Sequence, residues 1–220
     1  MHSPLFYSSE RYRDVEARLL EFLNAHDGWL SVQTAKSTRA VGDSIEDILS
    51  ESFAEQSGLE LKNYTADFAR RAMADLAFED LDDYYYIVDV KTHRVSTKFN
   101  MPNLTSVERL ARFYEAEKNY FTLMIVVYDV VDTTIKVEKI HFIPIEFLSW
   151  DCLTIGALGW GQIQIANSNN IVINPGFSRR NWMIQMCDTL LEFYPKEILK
   201  IDKRIEHFRK IREKWEDRSE

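Results

Sequence analysis

Two long β-rich runs constrain the fold of this chain more than any other feature of its sequence. Tyr120–Val131 and Thr134–Ile143 are rich in β-branched and aromatic residues and are separated by only two positions. Runs of this kind are typical of central strands, which other elements must cover. Helical periodicity and capping signals predict that these covering elements are helices. The predicted helices are Glu10–His26, a second from Asp43 or Ser44 to Gly58, Asn103–Lys118, Arg179–Tyr194 and Pro195–Trp215. The order predicts an α/β domain, a mixed central β-sheet flanked by helices.

A β-hairpin is predicted before the long runs. Ala74–Phe78 and Tyr84–Lys91 are short apolar runs, and the acidic segment Glu79–Asp83 separates them. If the turn is centred near Asp82, position 75 pairs with position 89, which places both side chains on one face. Two shorter strands are predicted at Gln162–Ala166 and Ile171–Asn174.

Composition supports one globular domain spanning residues 1–220. Hydrophobic residues make up 45% and charged residues 28% of the chain, without repeats or a linker. We expect no membrane span, and Met1–Glu10 lacks the pattern of a signal peptide. Two cysteines, Cys152 and Cys187, form no disulfide framework, so a cytoplasmic location is predicted. The net charge of −8 argues mildly against a nucleic-acid partner, although an acidic total can hide a basic cleft.

The hairpin carries the residues with the clearest chemistry. Alternation along Tyr84–Lys91 puts Asp89 and Lys91 on one face, and the register brings Asp75 beside Asp89. Two carboxylates this close must share a proton or bind a cation, or else the pKa of one of them rises. Mg²⁺ suits such oxygen ligands and usually takes one or two carboxylates together with phosphate oxygens and water. These parts predict hydrolysis of a phosphodiester, with Lys91 acting on the attacking water or the developing charge. The alternative is that an Asp-x-Lys tripeptide forms a solvated ion pair on a surface strand.

The spacing of these residues resembles the PD-(D/E)XK nuclease superfamily, in which an acid precedes Asp/Glu-x-Lys at a strand end. Here the acid is Asp75, the tripeptide is Asp89–Lys91, and Ala74 replaces the proline that names the motif. Further blocks between about residues 40 and 180 resemble type II restriction endonucleases of the HincII/EcoRV branch: Gly42–Glu46, Val88–Thr92, Val95–Ser96, Pro102–Asn103 and Gln162–Gln164.

This resemblance implies a restriction-endonuclease-like fold and a homodimer that cuts duplex DNA with Mg²⁺ to leave blunt ends. It also implies a companion DNA methyltransferase. By position, Asp75 and Asp89 bind the metal, Lys91 acts on the water and Glu46 supports the site. Glu46 alone is equally consistent with a solvated helix N-terminus, where acids are favoured.

Polar and basic residues beyond Lys91 are predicted to contact DNA, because phosphates are bound by such side chains. Gln162 follows a glycine-rich loop, and the resemblance favours a role in reading a base over the alternative of a hairpin bend with Trp160 in the core. The predicted DNA-binding residues are Thr92, His93, Arg94, Lys98, Asn100, Asn103 and Gln162.

Two alternatives to a restriction enzyme stay open at this point. One is a repair or structure-specific nuclease of the same superfamily. The other is a catalytically silent α/β binding protein that keeps the fold. The basic C-terminal segment Pro195–Trp215 contains interspersed glutamates, which favours a solvated helix face.

Overall fold

The two long runs pair with each other inside one mixed sheet. The computed structural model describes residues 3–25, 30–66 and 73–218. In it the runs are antiparallel, from Val131 opposite Thr134 at the turn to Thr122 opposite Pro144. The strands of the described residues are β1 (Leu61–Thr65), β2 (Leu76–Asp80), β3 (Tyr85–Arg94), β4 (Asn103–Ser106), β5 (Asn119–Val131), β6 (Thr134–Pro144), β7 (Leu153–Gly156) and β8 (Gln162–Ile165).

Five of these strands form the main sheet, in the order β1-β2-β3-β5-β6. β3 and β5 are parallel, from Tyr85 opposite Asn119 to Arg94 opposite Tyr128, and the other neighbours are antiparallel. A parallel pair requires a crossover connection, and the segment between β3 and β5 supplies it with a helix. The predicted α/β domain with a mixed, helix-flanked sheet is confirmed.

The helices of the described residues are α1 (Pro4–Tyr7), α2 (Arg11–Ala25), α3 (Thr38–Gln56), α4 (Val107–Phe113) and α5 (Arg179–Glu216). Phe53 of α3 stacks on Phe78 with ring centroids 5.4 Å apart, and Phe113 of α4 contacts Tyr85 at 6.2 Å. Phe78 pairs with Tyr86, the neighbour of Tyr85 along β3, and successive strand residues project to opposite faces. Helices α3 and α4 therefore cover opposite faces of the sheet.

Helix α3 begins earlier than predicted. Ser37 is its N-cap, and the Ser37 hydroxyl accepts a hydrogen bond from the backbone N–H of Ala40 at 3.2 Å. The predicted cap at Asp43 or Ser44 is wrong, because both residues lie inside the helix. Val41 is fully buried, so the apolar stripe of the helix extends one turn further toward the N-terminus.

Helix α5 is one continuous element of 38 residues. The predicted division between Tyr194 and Pro195 is wrong, because Pro195 lies inside the helix. A proline removes one backbone hydrogen bond, and the favourable helix formers on both sides continue the helix past it. Within the described ranges, no helix combines the length and apolarity needed to cross a bilayer.

A second, antiparallel sheet packs beside the first, in the order β4-β8-β7. The helix predicted from Asn103 is wrong at its start, because Asn103–Ser106 pairs with β8 and the helix begins only at Val107. Tertiary pairing overrides local helical periodicity in this segment. The strand predicted at Ile171–Asn174 is reduced to one isolated bridge, between Leu148 and Ile173.

Helix α2 closes the outer edge of β6 with side chains. Asn24 donates to the Val137 carbonyl at 3.0 Å and accepts from the Val137 N–H at 2.9 Å, as a neighbouring strand would. Glu16 accepts from the N–H of Phe142 at 2.7 Å. These contacts satisfy backbone groups that an edge strand otherwise leaves unpaired.

Candidate active site

Asp75 lies directly before β2 and is tied to β3 by two hydrogen bonds. β2 and β3 pair in the predicted register, with Leu76 opposite Val88. The backbone N–H of Asp75 donates to the Val88 carbonyl at 2.9 Å, and Asp75 Oδ2 accepts from the N–H of Val90 at 2.6 Å. Asp75 thus contacts the residues on both sides of Asp89, which brings the two carboxyl groups to one end of the hairpin.

Asp89 is a buried carboxylate with one oxygen in an ion pair. Lys91 Nζ lies 2.7 Å from Asp89 Oδ1 and also donates to the Val90 carbonyl at 3.3 Å. Asp89 Oδ2 is buried and has no hydrogen-bond partner. Burial raises the pKa of Asp89 to about 7, an effect that Lys91 opposes and the charge of Asp75 reinforces. Such an oxygen is the kind of group that a bound cation or a water satisfies.

Glu46 enters the site from α3 because Gly42 lets this helix approach β3 closely. A β-carbon at Gly42 would lie 2.7 Å from Thr92 Oγ1, so a larger residue would push the two elements apart. Glu46 follows one helical turn later on the same side of α3. Burial, the charge of Asp75 and a hydrogen bond with the Asp75 carboxyl group raise the pKa of Glu46 to about 7.

The site is assembled from both faces of the main sheet. Thr92 and Asp89 are three residues apart on β3 and project to opposite faces. Glu46 comes from α3, the helix on the Thr92 side. It reaches Asp75 because Asp75 lies just before the first residue of the short strand β2. Asp75 therefore interacts with both Glu46 and Asp89, and Lys91 acts on the same two acids.

A cleft of about 410 Å³ opens beside Asp75 and Asp89. Its other wall comes from the second sheet, α4 and the loop between β7 and β8. Trp160 of that loop is 65% exposed at the rim, and Gln162 follows it at the start of β8. The cleft gives the two aspartates an open side, with the rest of its lining formed by Met73, Ala74, Leu104, Thr105, Ser106, Glu108, Arg109, Leu158 and Gly159.

Sequence reasoning missed several of these lining residues. Thr105 and Ser106 belong to β4, which the sequence analysis interpreted as the first turn of a helix. Arg109 lies on the helix that follows, and Trp160 lies in the loop between β7 and β8. A strand interpretation of Asn103–Ser106, paired with the alternating segment from Gln162, would have found the first two.

Among the predicted DNA-binding residues, Gln162 lines the cleft. Asn103 is exposed at the neighbouring end of β4, where its Oδ1 accepts from Gln164 Nε2 at 2.5 Å. Lys98 is exposed and Asn100 is half-buried, and their backbone carbonyls accept hydrogen bonds from Asn169 and Ser168. Of these four residues, only Gln162 lines the cleft.

Three other predicted DNA-binding residues have partners inside the protein. His93 is buried, with Nδ1 2.8 Å from Ser168 Oγ and Nε2 3.0 Å from Asn169 Oδ1, so both ring nitrogens are engaged. Arg94 forms an ion pair with Asp129 at 3.3 Å. Thr92 faces Gly42 of α3. In this conformation His93 and Thr92 hold structural elements together.

The donor set fits a hard divalent cation that keeps water or substrate oxygens. In the described ranges no group of three or more His, Cys, Asp or Glu side chains could hold a metal ion. Mg²⁺ is usually bound by only one or two carboxylates together with water and substrate oxygens, and Asp75 with the unpartnered Asp89 Oδ2 offers such a pair.

Comparison with protein-family models and with curated protein sequences gives no match.

Proposed function

We propose that this protein is a type II restriction endonuclease that cuts duplex DNA in a Mg²⁺-dependent reaction. One observation carries the proposal. Asp75 and Asp89 stand side by side at the edge of an open cleft, with Lys91 Nζ 2.7 Å from Asp89 and one Asp89 oxygen buried without a partner. A structural ion pair requires neither the second aspartate nor the open side.

Asp75 and Asp89 are the residues that would hold Mg²⁺. When bound there, Mg²⁺ would stabilise charge on a phosphodiester and lower the pKa of a water molecule. The Lys91 ammonium group can stabilise the charge that develops on a phosphate oxygen, and its N–H groups can orient the attacking water. Glu46 lies close enough to Asp75 for the two carboxyl groups to interact, and we assign it the role of a positioning residue.

The walls of the cleft supply groups suited to nucleic acid. Thr105 and Ser106 offer hydroxyl groups, Arg109 a guanidinium, and Gln162 an amide that can pair with adenine. A DNA strand in this cleft would bring its phosphates to the two aspartates. The proposal includes a homodimer, blunt ends and a companion methyltransferase that protects the recognised sequence.

Cleavage of plasmid DNA tests the proposal. We expect the wild-type protein to convert a plasmid into discrete fragments with Mg²⁺ and to leave it intact with a chelator. Asp89→Asn should abolish cleavage and keep the wild-type circular dichroism spectrum. Asp82→Asn is the matched control, because this exposed aspartate lies in the turn of the same hairpin.

The pattern of products separates the alternatives. Undiminished Mg²⁺-dependent cutting by Asp89→Asn would exclude the proposed site. A smear, or nicking only at branched junctions, would indicate a repair or structure-specific nuclease. Binding of DNA without any cleavage would indicate a silent binding protein. Sequencing the fragment ends gives the recognised site and shows whether the ends are blunt.

A further inference from the structure

The C-terminal part of α5 extends away from the domain as an exposed helix. At 1.5 Å per residue, its 38 residues are about 57 Å long. The N-terminal part packs on the domain through the buried side chains of Trp182 and Met186. From Pro195 to Asp217, every residue except Glu197 and Ile211 is exposed.

An apolar seam runs along the exposed side of α5. Its positions are spaced alternately by three and four residues, which is the a/d pattern of a heptad written a to g. Large apolar side chains on this seam are exposed rather than buried: Leu191 is 72% exposed and Phe208 is 64% exposed. The seam consists of Ile184, Cys187, Leu191, Tyr194, Ile198, Ile201, Ile205, Phe208 and Trp215, and the charged Arg212 occupies one further a position near its C-terminal end.

The seam is long enough to specify a coiled coil. From Ile184 to Trp215 it covers more than four heptads, and sustained a/d patterns of three to four heptads already indicate coiled coils. Trp182 and Met186, which pack on the domain, lie at the f and c positions at the back of the helix. The seam therefore lies away from these buried contacts, and one of its residues, Tyr194, reaches the domain by donating from its hydroxyl group to the Trp160 carbonyl at 2.6 Å.

We propose that the seam is a dimerisation surface on which α5 of a second copy of this chain packs in the antiparallel direction. The inference follows from the pattern and exposure of α5 and is independent of nuclease activity. The flanking charges identify the partner as a second copy of this chain. Oppositely charged residues of two copies face each other in the antiparallel arrangement, and like charges face each other in the parallel one.

Flanking charges oppose a parallel pair and favour an antiparallel one. In a parallel dimer, g positions face e positions of the next heptad, so Glu197 would oppose Asp202 and Arg204 would oppose Arg209. In an antiparallel dimer, g faces g and e faces e. With the copies centred between residues 199 and 200, Glu197 opposes Arg204 and Asp188 opposes Arg209, each twice by symmetry.

The same antiparallel register gives apolar layers through the centre of the seam. Each a position then faces a d position of the other copy, so Ile198 lies against Ile201. The next layers outward pair Tyr194 with Ile205 and Leu191 with Phe208. Symmetry repeats each of these layers on the other side of the axis.

Sedimentation velocity of the full chain tests whether the seam associates. We expect a reversible dimer, and Ile198→Glu should raise its dissociation constant by roughly 100-fold, since it places a charge in an apolar layer. The matched control is Leu199→Glu, because Leu199 is 63% exposed beside Ile198 at 59% but lies off the seam. A monomeric wild-type protein, or equal weakening by both variants, would overturn the proposal.

Charge reversal tests the direction of pairing. In the antiparallel dimer, Arg204→Glu places a glutamate against Glu197 of the other copy, twice by symmetry, and should weaken the dimer by about tenfold. The double variant Glu197→Arg/Arg204→Glu should restore the affinity. In a parallel dimer, Arg204→Glu would instead face Arg209 and tighten association, an outcome that would exclude the antiparallel arrangement.

Discussion

Asp75 Oδ2 accepts a hydrogen bond from the backbone N–H of Val90 at 2.6 Å, so this carboxylate is oriented by the strand that carries Asp89. The backbone N–H of Asp75 also donates a hydrogen bond to the carbonyl of Val88, on the same strand β3, at 2.9 Å. Because both ties are to the backbone of β3, the separation of the two carboxyl groups is fixed by the hairpin register. In the proposed function, a pair that is pre-set in this way would bind Mg²⁺ with little reorganisation of side chains.

Mg²⁺ should stabilise the fold through Asp89. A cation that binds the folded state and not the unfolded chain raises stability by about 2.7 kcal/mol at 100 times its Kd. For a domain of this size we expect a rise in Tm of roughly 5–10 °C at saturating Mg²⁺. Differential scanning fluorimetry should show this rise for wild type and Asp82→Asn, and its loss in Asp89→Asn. An unchanged rise in Asp89→Asn would remove Asp89 from the metal site.

Lys91→Met should separate chemistry from metal binding. Loss of the ammonium group next to Asp89 should lower the rate of DNA cleavage by roughly 10²–10⁴-fold, the usual size of such contributions. The Mg²⁺-dependent rise in Tm should persist, since both aspartates remain. Lys136→Met, at an exposed position of β6, should cleave at the wild-type rate. Equal activity of the two variants would assign Lys91 a structural role.

The contact between α3 and β3 gives a prediction about stability. A Gly→Ala change inside a helix usually stabilises by up to about 1 kcal/mol. At Gly42 the new β-carbon would lie 2.7 Å from Thr92 Oγ1, so we expect Gly42→Ala to destabilise by roughly 1 kcal/mol. In a Thr92→Ala background the same change should stabilise. Urea denaturation of wild type, both single variants and the double variant gives the coupling energy between positions 42 and 92. Equal effects of Gly42→Ala in both backgrounds would show that the Thr92 side chain does not limit the approach of α3 to β3.

His141 should make stability fall in mild acid. Burial lowers its pKa from 6.5 to about 4 in the folded protein, with a smaller contribution from Lys139. Between these values the unfolded chain binds more protons than the folded one, so stability decreases as the pH falls from about 6.5 toward 4. His141→Gln should reduce this slope in urea titrations. The exposed His207, changed to glutamine, is the control that should follow wild type.

The hairpin could be predicted from sequence because two independent signals agreed on it. Alternation in Tyr84–Lys91 fixed the faces, and the acidic turn fixed the centre, so the neighbourhood of Asp75 and Asp89 followed. The wall of the cleft could not be predicted in this way. Residues Asn103–Ser106 have no turn signal that separates them from the helix after them, and their strand exists only through pairing with β8.

Burial was the other limit of sequence reasoning. His93 follows Lys91 in the chain and was predicted to contact DNA, but it projects into the space between the two sheets, where Ser168 and Asn169 bind it. Only the approach of the 167–170 turn, more than 70 residues away in sequence, decides this. The continuity of α5 through Pro195 was equally hidden, since proline most often ends a helix.

The side-chain cover on β6 has a consequence for how copies of the protein can meet. Asn24 and Glu16 occupy backbone groups to which an added strand would have to bond, so fibril-like extension of the sheet is blocked at that border. At the opposite border, β1 has an irregular register between Leu61 and Asn63, which gives a poor template for polymerisation. Self-recognition by strand addition is therefore disfavoured at both borders of the main sheet.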